Sequence, residues 1–89
     1  MADASASVAT METATRDLLD RMSGSDPRRG MVNRLLFKLA SRVGSTGSAS
    51  EIAAMTASTA KLNALPAAGN FAAVVAEADA AAQALTPAS

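Results

Sequence analysis

Cysteine, histidine, tryptophan and tyrosine are all missing from this 89-residue chain, and Phe37 and Phe71 are its only aromatics. Without cysteine there is no disulfide framework and no thiolate for metal or redox work. Without histidine, the side chain that most often serves as general base or zinc ligand is gone as well. Catalysis by Lys61 or a serine would need an activating base that the sequence does not provide, so an enzyme is not expected, and neither is a cofactor. Asp17 and Asp20 have a metal-ligand spacing, but each stands next to an arginine with no histidine to join them, so no metal site is expected. Gly44 and Gly47 lack the preceding strand and following Gly-Lys-Ser/Thr of a phosphate loop.

Long apolar runs are also missing. The most apolar tract, Phe71 to Leu85, is short and interrupted by Glu77 and Asp79, which excludes a transmembrane span. The leading MADASASVATMETA has neither the basic flank nor the continuous apolar core of a secretory signal, which makes a cytoplasmic location the default.

What the chain does have is alanine, which supplies much of its 49% hydrophobic content. Alanine offers little area to bury, and a chain of this length removes only ~60–65% of its unfolded surface from water. The core is therefore thin, and a partner or self-association would help to stabilise it. Formal charge is zero overall but divides by region: −3 over residues 1–26, +5 over 27–50 and −2 over 51–89. No acid occurs between Asp26 and Glu51.

The clearest patterned stretch is Asp26 to Val43. Val32, Leu35, Leu36, Leu39 and Val43 share one face of a helix and are expected to be core. Asp26 before Pro27 marks the start, and Gly44 marks the stop. A first helix is read from Val8 to Met22 on the stripe Val8, Met11, Thr15, Leu18 and Met22, with Ala14 and Leu19 beside it. Its exposed side offers Glu12–Arg16, Arg16–Asp20 and Asp17–Arg21 at i, i+4. A third helix starts at Ala49 or Glu51 behind the capping-box pair Ser48 and Glu51, carries Ile52, Met55, Thr59 and Leu62, and ends before Pro66. Ala67, Ala68 and Gly69 form a turn, and Asn70 caps a fourth helix, Phe71 to about Leu85, with Phe71, Val74, Val75, Ala78, Ala82 and Leu85 on one side. Met11, Met22, Met31 and Met55 read as gap-filling core. The run GSTGSAS reads as a flexible linker.

These elements predict an all-α fold of two helical hairpins, forming either a small four-helix bundle or an open helical pair ordered by a partner. The expected division is a tail at 1–6, one helical domain at 7–86 and a tail at 87–89. Within the domain lie a hairpin at 7–43, the Gly/Ser linker at 44–50 and a hairpin at 51–86. At an offset of 44, Val8, Ala9, Met11, Thr15 and Leu18 align with Ile52, Ala53, Met55, Thr59 and Leu62. Four of those five pairs are identical, which either duplication or shared composition would produce.

Function is least legible. Arg34, Lys38 and Arg42 form a row at i, i+4, i+8, while Arg28 and Arg29 oppose the positive end of their own helix dipole and need an offset. Phe37 falls outside the apolar stripe. With Arg28, Arg29, Arg34, Lys38 and Arg42 it forms the candidate interaction surface, since arginine and aromatics are enriched at protein interfaces. The expected role is a non-enzymatic protein–protein interaction module, a small subunit or adaptor of a larger assembly. The alternative is a nucleic-acid-associated protein using the basic second helix, although neutral net charge and the lack of stacking aromatics speak against it. A solvated row neutralised by Glu12, Asp17 and Asp20 would explain the same cations, and a membrane-surface role comes third. On sequence alone, Phe37→Ala should lose association without unfolding and Leu36→Ala should unfold, as judged by light scattering and far-UV circular dichroism; equal destabilisation would place Phe37 in the core.

Overall fold

The structure, a computed structural model, describes residues 2–65 and 70–86. Four helices, α1 (Ser5–Arg21), α2 (Arg29–Ala40), α3 (Ala49–Ala64) and α4 (Phe71–Gln83), pack against one another as a small all-helical domain. Two short strands, β1 (Ala2–Asp3) and β2 (Thr46–Gly47), pair antiparallel. The four-helix bundle is therefore the form adopted, rather than the open pair. The predicted Pro66 stop, the Ala67–Gly69 turn and the 87–89 tail lie outside the described residues.

Periodicity places the core as expected. Val8, Met11, Thr15, Leu18 and Met22 of the first stripe are buried, with Ala14 and Leu19 beside them. Met55, Thr59 and Leu62 meet them from α3, Phe71, Val75, Ala78 and Ala82 from α4, and Leu85 from just beyond its end. Two threonines are tolerated in this apolar layer because their hydroxyls are satisfied locally. Thr15 Oγ1 donates to the Met11 carbonyl at 2.7 Å, and Thr59 Oγ1 donates to the Met55 carbonyl at 2.9 Å. Helix starts also follow the sequence. Ser48 and Glu51 form the reciprocal capping box, and Asn70 Oδ1 accepts from the Ala73 N–H at 3.3 Å. Leu65 is extended, at φ −64° and ψ 125°, as the residue before a proline should be.

Three expectations are corrected. First, residues 2–6 are not a frayed tail: β1 pairs with β2, Ala4 is buried, and the Ser5 N–H donates to Asp3 Oδ1 at 2.8 Å, which starts α1 ahead of Val8. Second, the Gly/Ser linker is pinned. Thr46 and Thr86 exchange backbone hydrogen bonds of 2.9 and 2.8 Å, Ser45 is buried, and a Cβ on Gly47 would lie 2.6 Å from a Leu85 methyl. Third, α2 stops at Ala40. Ser41 Oγ donates to the Lys38 carbonyl at 2.7 Å, the closing N–H bonds tighten to i→i−3, and Gly44 takes φ 82°. Val43, expected in the core, is thereby carried off the stripe and is 66% exposed. Leu36 is only half-buried, so the buried face of α2 is Val32, Leu35 and Leu39.

The strand pairing and the buried helix positions relate the two hairpins. Ala2 faces Gly47 and Asp3 faces Thr46, and shifting each residue of β1 by 44 turns one pair into the other, as a twofold relation requires. The buried positions of α2 and α4 correspond at an offset of 43 rather than 44. Val32, Leu35 and Leu39 then match Val75, Ala78 and Ala82, all buried. That one-residue step is why α2 and α4 align poorly at 44.

With Leu35 fully buried and Val43 exposed, Leu35→Ala should cost about 2–5 kcal/mol and Val43→Ala less than about 0.5 kcal/mol. Urea unfolding followed by circular dichroism measures both, and similar costs would contradict the early stop of α2.

Candidate functional site

The predicted surface begins at the turn into α2. Asp26 does not cap the helix directly: the Arg29 N–H donates to its carbonyl at 3.1 Å, and α2 begins only after that turn. Its carboxylate accepts instead from Arg28, through the backbone N–H at 2.9 Å, Nε at 3.0 Å and Nη2 at 2.7 Å. These hydrogen bonds, followed by the nearby positive charge, hold the Asp26 carboxyl down to about 2. The Arg28 guanidinium also lies over the Phe71 ring, 4.1 Å from its centroid, joining the first turn of α2 to that of α4.

Arg29 resolves its conflict with its own helix by serving another. Nη1 donates to the Leu19 carbonyl at 2.8 Å and the Met22 carbonyl at 3.4 Å, at the C-terminal end of α1 where carbonyls lack intrahelical partners. A cation there also faces the negative end of the α1 dipole. Arg21 does the same for α3, with Nη1 2.6 Å from the Leu65 carbonyl and Nη2 3.0 Å from the Leu62 carbonyl. Sequence reasoning paired Arg21 with Asp17 and missed this role, because nothing local to α1 tells which helix end its guanidinium will meet.

The row Arg34, Lys38, Arg42 divides three ways. Lys38 Nζ is paired with Asp79 Oδ1 of α4 at 2.7 Å, so the neutralising acid comes from the fourth helix rather than from Glu12, Asp17 or Asp20. Arg42 is half-buried, and its Nε and the Ser45 hydroxyl have no hydrogen-bond partner among the described residues. Arg34 is exposed, and among the described residues it forms no ion pair. Of the three i, i+4 pairs expected on α1, Glu12–Arg16 alone meets the ion-pair distance, at 3.8 Å, with the Arg16 side chain 68% exposed.

Phe37 stands on the outer ridge of α2, 78% exposed. On one side of the ridge is a cavity of about 240 Å³ between α1 and α2, lined by Glu12, Arg16, Asn33, Leu36, Phe37 and Ala40. On the other side is one of about 430 Å³ between α2 and α4, with Met31, Leu35 and Val75 in its lining and Arg34, Lys38 and Asp79 around them. Alanines 72 and 76 line that second cavity too, and their short side chains leave the space unfilled.

Among the described residues, no three His, Cys, Asp or Glu side chains come together as a metal site, and no helix is long and apolar enough to cross a membrane. Compared with known protein families, curated proteins and solved structures, the chain matches none.

The depressed Asp26 carboxyl gives a signed prediction. The folded state binds that proton more weakly than the unfolded chain, whose aspartate titrates at about 3.9. The stabilisation is thus complete above about pH 4 and is lost as pH falls towards 2. Urea midpoints stepped across that window should fall more steeply for the wild type than for Asp26→Asn, and parallel slopes would contradict the Arg28–Asp26 contact.

Proposed function

We propose that this chain is a non-enzymatic protein–protein interaction module, a small helical subunit or adaptor of a larger cytoplasmic assembly, that binds through the outer ridge of α2. The observation that carries the proposal is the position of Phe37: 78% exposed in the middle of a helix whose opposite face is fully buried. A ring standing in water gains area burial only when something covers it, and aromatics flanked by arginine are the side chains on which interface energy concentrates.

The alternative, a nucleic-acid face along Arg28, Arg29, Arg34, Lys38 and Arg42, has less to draw on. Arg28 is engaged by Asp26 and Phe71, Arg29 by α1, Lys38 by Asp79, and Arg42 is half-buried, so phosphates would have to compete with contacts that hold the bundle together. Binding of that kind would weaken steeply with salt.

A photo-crosslinking amino acid placed at position 37, with exposed Ala57 on α3 as the control position, tests the proposal in cells. Discrete adducts from position 37 and few from 57 are expected. No adduct at 37, or the same adducts from both positions, would contradict it.

A further inference from the structure

We infer that the occupant of the α2 ridge is an acidic amphipathic helix of another protein, an inference that rests on the interaction surface proposed above and names its partner class. Charge decides the class. Helix α2 contains Arg29, Arg34 and Lys38 and no acid, and the groove on its α1 side adds Arg16. The two acids beside the ridge are already engaged, Asp79 with Lys38 at 2.7 Å and Glu12 with Arg16 at 3.8 Å. Arg34 has no ion-pair partner among the described residues, and Arg16, held to Glu12 only by the long 3.8 Å contact, keeps its side chain 68% exposed and open to a second carboxylate. A second copy of this chain docking ridge to ridge would set these cations against their own images, which is costly. A partner rich in carboxylates gains from both.

Shape decides the secondary structure. Phe37 forms the crest, and on either side lies a partly apolar groove, one floored by Leu36 and Ala40, the other by Met31, Leu35 and Val75. Packed helices stand about 8–10 Å apart, so grooves flanking one helix are separated by about the same distance. On a helix, side chains at i and i+7 share a face and stand ~10 Å apart. Two apolar anchors at that spacing reach both grooves across Phe37, while carboxylates beside them fall near Arg34 and Arg16. This is the helix-in-groove mode of recognition, with an aromatic knob supplied by the receptor.

The test uses the full chain, 15N-labelled, and two synthetic helical peptides with leucine at i, i+3, i+4 and i+7. One carries glutamate at the flanking positions and the other carries lysine. The glutamate peptide should shift the amides of Asn33 to Ser41 and of Arg16, and its Kd should rise about tenfold or more with Phe37→Ala or Arg34→Glu, each still helical by circular dichroism. Arg34→Glu should also improve binding of the lysine peptide. Equal binding of both peptides by the wild type, or no shift at Asn33 to Ser41, would overturn the inference. So would a DNA duplex or phosphatidylserine vesicles moving those amides more than the glutamate peptide does. Failure here alongside adducts at position 37 would reject the acidic helix alone, whereas absence of those adducts removes the interaction surface itself.

Discussion

The guanidinium of Arg21, set against the last carbonyls of α3, ties the first hairpin to the second at the ends where the helices have run out of partners for their own backbones. The bundle depends on contacts of this kind because its facing surfaces are small. Much of what α4 offers the core is alanine, at positions 78, 81 and 82, and each alanine brings little area to bury. A thin core stabilises four helices only if their termini are also satisfied. Arg21 serves α3, Arg29 serves α1, Ser48 with Glu51 and Asn70 serve the starts of α3 and α4, and Arg28 bridges the starts of α2 and α4 through Asp26 and Phe71.

That use of arginine decides what is left for a partner. A basic helix in a neutral protein invites a reading in terms of phosphate, yet most of its cations point at carbonyls, carboxylates or a ring of the same molecule. What remains outward on α2 is a short ridge of Arg34 and Phe37 between two partly apolar grooves. The functional proposal follows from that structural demand: a continuous phosphate track would have to compete with the contacts these charges already make at helix ends and with Asp79.

The fold was largely legible because helical periodicity depends on local spacing. Val8, Met11, Thr15 and Leu18 recur as a helix face should, and both the Ser48–Glu51 box and Asn70 are local capping chemistry. What failed depended on contacts between distant residues. The GSTGSAS run has the composition of a mobile linker, but it pairs with Ala2, Asp3 and Thr86, contacts between distant residues that composition does not reveal. Val43 fits the stripe in number, but the Ser41 hydroxyl competes for the Lys38 carbonyl and the helix ends first. In the site, Phe37 could be placed off the stripe from angles alone. The assignments of Arg21, Arg29 and Lys38 to α3, α1 and α4 needed the tertiary arrangement, since a long side chain reaches whichever helix end packing brings near.

With two phenylalanines in the chain, one fully buried and one exposed, the division of α2 into a buried face and an open ridge can be read from a single spectrum. Fluorine NMR of the protein carrying 4-fluorophenylalanine at both positions, compared in H2O and D2O, should show a full solvent isotope shift for the Phe37 resonance and almost none for Phe71. A Phe37 fluorine as insensitive to solvent as that of Phe71 would contradict the exposed ridge and, with it, the surface on which the functional reading stands.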